Sequence, residues 1–272
     1  MKSNAHNVWG WLSLLVGLSG CSMSRFAFTP CEANSDCREA FGWGNVCKNL
    51  LCEPVAPLAR CAETWPPSLY QRREEFRDAV VLGVQFDRTE FQLETYAAEL
   101  AFQQVMKSNG LDDKQMALVE CTIEEDPAFD DLTKEEANEQ VAVYLADEIG
   151  VPAIVGPATS FEVEKAFLAV KPYGTLIMSP TATGIALTEL DGSESTDLDP
   201  GLLWRTAPPD TFQGLVMADY LSSESIKTVD LIFEEGPYGT ALALAFDEAF
   251  RERGGTASQK GFEAGDVTMR DS

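Results

Sequence analysis

Ala79-Val80-Val81-Leu82-Gly83-Val84 is an unbroken apolar run rich in β-branched residues, the composition of a strand buried on both faces. Beyond it, Thr89-Glu90-Phe91-Gln92 has the form of a capping box, and Leu93, Ala97, Leu100 and Val105 mark one face of a helix reaching to Gly110. The unit then repeats. Met116-Ala117-Leu118-Val119 reads as a strand, and Thr133-Lys134-Glu135-Glu136 caps a helix with the stripe Ala137, Val141, Tyr144, Leu145 and Ile149, stopped by Gly150. Ala153-Ile154-Val155-Gly156 is a third strand, residues 160–172 a helix, and Thr175-Leu176-Ile177-Met178 a fourth strand. Strands alternating with helices at this spacing require right-handed crossovers, which predicts an α/β fold with a parallel sheet covered by helices on both faces.

The chain has 272 residues, enough for one large or two modest domains. Its 44 acidic against 20 basic residues give a formal charge of −24, so the basic face of a nucleic-acid binder is missing and no nucleic-acid partner is expected. The single histidine, His6, falls in a segment expected to be removed. Without imidazole the mature chain has no Ser-His-Asp or Cys-His mechanism and lacks the commonest zinc ligand. The chain is therefore read as a non-enzyme with no catalytic residues, no metal and no cofactor. Glu234-Glu235, adjacent acids at a strand end, point to opposite faces and read as solvated charge.

At the amino terminus Lys2 precedes the apolar core Val8–Gly17, too short to span a bilayer as a helix. Leu18-Ser19-Gly20-Cys21 resembles the lipobox of bacterial lipoproteins, which implies a signal peptide over residues 1–20, diacylglycerol on Cys21, and a membrane contact through that anchor. Ser22 in place of Asp implies the periplasmic side of the outer rather than the inner membrane of the cell envelope. Six cysteines remain: Cys31, Cys37, Cys47, Cys52, Cys61 and Cys121. An even number in an exported chain predicts disulfides, although the spacing leaves several connectivities open. Five of the six crowd into a small Cys-rich module, residues 21–61, with almost no core of its own. One of those five must pair outside the cluster, and Cys61 with Cys121 is the simplest pairing. Pro54, Pro57, Pro66 and Pro67 mark a stiff linker, placed at residues 62–77.

In open α/β sheets ligands sit beyond the carboxyl ends of the strands. Two of those ends are distinctive: Gly156-Pro157-Ala158-Thr159-Ser160, opening a helix, and Ser179-Pro180-Thr181-Ala182-Thr183. Both gather backbone N–H groups and hydroxyls at one edge, a suitable place for a carboxylate. These segments, followed by Trp204-Arg205-Thr206-Ala207-Pro208-Pro209-Asp210-Thr211-Phe212-Gln213-Gly214 and by Tyr238-Gly239 after an apolar strand, resemble the type 1 periplasmic binding proteins, within them the leucine-binding-like substrate-binding and receptor ligand-binding family. The resemblance covers about residues 78–265. It implies two α/β lobes, lobe one at 78–207 and a partial lobe two at 208–272, closing on a ligand by hinge motion.

What the resemblance implies residue by residue is a carboxylate contact at Ser160, carboxylate and ammonium contacts at Thr181 and Thr183, and a closing tyrosine at Tyr238, with Phe91 near a family aromatic. The implied function is a lipid-anchored solute-binding protein that delivers an amino acid or similar small polar ligand to an ABC permease. The alternative is a ligand sensor coupled to a signalling partner. Lobe two shows the stripe Phe212, Val216, Tyr220, the strand Val229–Phe233, a helix carrying Leu242, Ala245, Phe246, Ala249 and Phe250, and a further strand near Gly261-Phe262. This is about half of the lobe the resemblance implies, so the expectation is a fragment of a longer product, with lobe one the more stable part.

Overall fold

In the computed structural model, residues 30–108, 111, 114–192, 196, 199–263 and 265 are described. The leader, the lipobox and Cys21 lie outside them. Helix α1 (Asn34–Phe41) and the antiparallel hairpin β1 (Asn45–Lys48) and β2 (Leu51–Pro54) form the cysteine-rich segment. There follow β3 (Glu63–Trp65), β4 (Val80–Phe86), α2 (Gln92–Lys107), β5 (Met116–Thr122), α3 (Lys134–Val143), β6 (Ala153–Val155), α4 (Ser160–Val170), β7 (Leu176–Ser179), α5 (Leu187–Leu190) and β8 (Leu203–Arg205). Their six strands make one sheet in the order β3-β5-β4-β6-β7-β8, parallel except for β3. The chain ends on α6 (Asp210–Ser223), β9 (Thr228–Glu234), α7 (Gly239–Glu252) and β10 (Thr256–Phe262), with β9 and β10 a separate parallel pair. The α/β class with a mainly parallel sheet is as the apolar runs predict.

Helix α3 keeps its expected signals. Thr133 accepts from the Glu136 N–H while the Glu136 carboxylate accepts from Thr133, and Ala137, Val141, Tyr144, Leu145 and Ile149 are all buried. Two other helices turn a different face inward. On α2, Leu93 is 78% exposed, Leu100 is also exposed, and the buried residues are Thr95 and Phe102. Thr89 does not cap this helix; it lies in a turn held by Asp87, whose Oδ1 accepts from the Thr89 and Glu90 N–H groups. On α6, Phe212, Val216 and Tyr220 are exposed, whereas Gly214 and Ala218 are buried. A Cβ on Gly214 would stand 2.9 Å from the Phe246 backbone nitrogen, so the small residues face α7 and let the two helix axes approach.

Residues 62–77, expected as a linker, are integrated into the sheet. β3 pairs with β5, and Leu69, Tyr70 and Phe76 are buried in the same core as Val119, Leu145 and Phe167. Apolar side chains between the prolines find a core to join, and that outweighs the stiffness of the prolines. The cysteines pair as Cys31–Cys47, Cys37–Cys52 and Cys61–Cys121. The cysteine-rich segment also shares the main core through Trp43, Val46 and Val55, and Trp43 Nε1 donates to the Phe76 carbonyl at 2.8 Å.

One buried group on β5 carries a pH prediction. Glu120, 1% exposed, faces α2 beside Glu99, and among the described residues neither of its carboxyl oxygens has a hydrogen-bond partner. Burial pushes its pKa from the ordinary 4.5 up to about 7; the Glu99 carboxyl adds to the push, Arg88 opposes it and Glu63 adds to it again. The stabilisation from the protonated form is complete below 4.5 and is lost as pH rises through about 7. Urea midpoints are therefore expected to fall between pH 5 and pH 8, with Glu120→Gln flattening that fall. An identical pH slope in the variant would remove Glu120 as its source.

Candidate functional site

The C-terminal ends of β4, β6 and β7 open onto a cavity of about 1100 Å³ whose opposite wall is built from β9, α7 and the loop between them. Ser160, Thr181, Thr183 and Tyr238 all line it, together with Phe91, Gln213 and Met217. Glu234 and Glu235 stand at its edge, both exposed.

The two glycine- and threonine-bearing loops are tied to each other. Ser179 Oγ donates to the Pro157 carbonyl at 2.7 Å, Thr181 Oγ1 donates to the Ala158 carbonyl at 2.7 Å, and the Gly184 N–H donates to Ser160 Oγ at 2.9 Å. Thr159, not Ser160, caps α4: its hydroxyl accepts from the Glu162 N–H, and the Glu162 carboxylate accepts from the Thr159 N–H. Ser160 is left at the first helical position, with its oxygen engaged by Gly184 and its proton uncommitted.

The hydroxyls therefore differ in polarity toward the cavity. Ser160 offers a proton at a helix N-terminus, an arrangement that favours an anion. Thr181 has committed its proton to Ala158 and offers only lone pairs. Thr183 lies next to Asp210. Asp210, which sequence reasoning missed, stands behind Thr183 and not in the cavity wall; it is 2% exposed, its N–H donates to the Thr183 carbonyl at 3.0 Å, and among the described residues its Oδ2 has no partner. Burial pushes the Asp210 carboxyl up, against the Thr183 hydroxyl and Arg205, which hold it down. Arg205 in turn donates to the Gly184 carbonyl at 2.7 Å. An acid directly after Pro208-Pro209 at a helix start was the available signal, and it reads equally well as an ordinary first-turn charge.

A fold and cavity of this kind define a ligand-binding α/β protein. The family described as the receptor family ligand binding region matches residues 93–269, more than half of the chain, and the chain belongs to that family. A curated relative, the Leu/Ile/Val-binding protein homolog 3 of Brucella melitensis biotype 1, is 34% identical over 133 residues, covering 43% of this chain and 34% of that protein. An ABC transporter substrate-binding protein from Desulfitobacterium hafniense superposes with a TM-score of 0.55 at 23% identity, covering 68% of this chain and 51% of that one. A branched-chain amino acid transporter substrate binding protein from Streptococcus pneumoniae, solved with isoleucine, superposes with a TM-score of 0.53 at 23% identity, over 71% of this chain and 52% of its own. The chain thus spans about half the length of these solved proteins and about a third of the curated one. These likenesses agree with the type 1 periplasmic-binding fold expected from the sequence.

Proposed function

We propose that this chain is the ligand-binding part of an extracytoplasmic solute-binding protein that holds a free, apolar-side-chain amino acid for an ABC importer. The observation that carries the reading is the polarity of one cavity: it is lined both by Ser160, a hydroxyl at a helix N-terminus with its proton free to donate, and by Thr181, whose hydroxyl has only lone pairs left, with Thr183 beside them. That order suits a ligand carboxylate at Ser160 and an ammonium at the threonines. Phe91, Met217 and Tyr238 would meet the side chain. The structural neighbour solved with isoleucine supports this choice of ligand class. Cys21 would anchor the chain to the envelope by lipid. Among the described residues no helix is long and apolar enough to cross a membrane. Mass spectrometry of protein from the native host should find Cys21 acylated, and an unmodified thiol there would end the anchor proposal.

A thermal-shift series with free amino acids tests the ligand. Leucine or isoleucine should raise the melting temperature, and Ser160→Ala should weaken the better ligand by roughly 1–2 kcal/mol, the worth of a hydrogen bond to a charged group. The 2-oxo analogue of leucine, which lacks the ammonium, should bind at least about tenfold more weakly. No stabilisation by any common amino acid would refute the reading. The disulfide-bonded segment ahead of the sheet favours a second reading, a sensor with a signalling partner; affinity for that partner rather than for a permease would distinguish it.

A further inference from the structure

We infer that Lys134 is a positioning residue for the cavity: its ammonium clips the turn that carries Phe91 to the helix start that carries Ser160. The inference rests on the solute-binding reading for its functional meaning, but its geometry stands apart from any ligand. Lys134 Nζ lies 2.9 Å from Asp87, 2.8 Å from Glu90 and 3.1 Å from Glu162. Asp87 and Glu90 belong to the turn between β4 and α2, Lys134 opens α3, and Glu162 sits in the first turn of α4. None of the four lines the cavity.

Each carboxylate gripped by Lys134 on a buried residue also holds backbone within two residues of a cavity-lining side chain, Phe91 or Ser160. Asp87 Oδ1 accepts from the Thr89 and Glu90 N–H groups, while Glu162 Oε2 accepts from the Thr159 N–H at 3.1 Å. Asp87 and Glu162 are 4% and 5% exposed, so water screens them poorly. The other charges around this point do not substitute for Lys134. Glu125 accepts the Lys134 backbone N–H, Glu136 is occupied in capping Thr133, and Lys165 is paired with Glu135 at 2.5 Å. Burial works against the Lys134 charge, and the hydrogen bonds to Glu90 and Asp87 with the pull of Glu162 outweigh it, holding the ammonium above the ordinary lysine value. Without it three carboxylates face one another, two of them buried, and the turn and the helix start are pushed apart.

The test compares wild type with Lys134→Met and Lys134→Arg, reading amide hydrogen exchange and leucine titration. In Lys134→Met the Thr89, Glu90 and Thr159 amides should exchange about tenfold faster at neutral pH, while Ile177 and Val119 in the sheet keep their rates. Lys134→Arg should restore protection. Leucine affinity should fall about tenfold at pH 7.5 in the Met variant and be restored in Lys134→Arg. Unchanged exchange at the three amides, equal acceleration throughout the sheet, or a leucine affinity in Lys134→Arg as low as in Lys134→Met would overturn the inference. Lys134→Gln, which keeps N–H donors but no charge, should loosen the same amides by a smaller factor and serves if the Met variant does not fold. If wild type binds no leucine but the amides respond as stated, the positioning role stands and the amino-acid reading fails.

Discussion

Replacing Cys61 and Cys121 together by alanine is expected to cost about 4 kcal/mol, from the loop-closure entropy of a 60-residue separation. Either short bridge in the amino-terminal segment, closing 15 or 16 residues, is expected to cost about 3 kcal/mol. The long bridge has the wider reach. Cys61 is fully buried in the main core, and Cys121 lies within β5, which pairs with both β3 and β4. Reduction should therefore loosen the β3 edge of the sheet as well as the cysteine-rich segment, whereas cysteine crowding alone points to the segment only. Chemical denaturation of the double variant, with amide exchange across β3 and β5, measures both consequences. A loss below about 1 kcal/mol would show that the bridge adds little to a core that is already sufficient.

Gly156→Ala should be the most damaging single substitution at the site. Gly156 has φ 102°, a region that L side chains rarely adopt, and a Cβ there would stand 2.1 Å from the Gln85 carbonyl oxygen in the neighbouring β4. The obstacle is backbone, so no rotamer change relieves it. Strain and overpacking together are expected to cost roughly 2–4 kcal/mol. The distortion also bears on ligand binding, because Gly156 leads directly into Pro157-Ala158-Thr159-Ser160, whose carbonyls and hydroxyl bind the second loop. Melting temperature and amino-acid affinity should fall together in this variant, whereas Ser160→Ala should lower affinity alone. A Gly156→Ala protein with wild-type stability would mean that β4 and β6 can move apart there at little cost.

Much of the site was legible because its residues lie in short continuous segments. Ser160, Thr181 and Thr183 lie in loops that follow apolar strands, the resemblance pointed to these three and to Tyr238, and the structure brings all four to one cavity. Asp210 and Lys134 were not legible as partners of these residues. Asp210 meets Thr183 across the crossing between the sheet and α6, and Lys134 meets Asp87 and Glu162 from separate elements. No local pattern encodes such meetings, since they depend on how three chain segments are packed at one sheet edge.

Local patterns did determine the α/β alternation, the capped start and inward stripe of α3, and the strand ends at which a ligand could sit. Strand composition and helix capping act within a few residues, so the chain states them directly. The helix faces depended on more than apolarity. On α2 and α6 the large apolar stripes point outward, because the surface opposite each helix accepts Thr95 and Phe102 on one and Gly214 and Ala218 on the other. Tertiary packing also drew residues 62–77 into the sheet and selected one disulfide connectivity among several. It decided which proton each cavity hydroxyl has left to give. A hydroxyl's direction is set by its neighbour, and for Ser160 and Thr181 those neighbours lie 24 and 23 residues away along the chain.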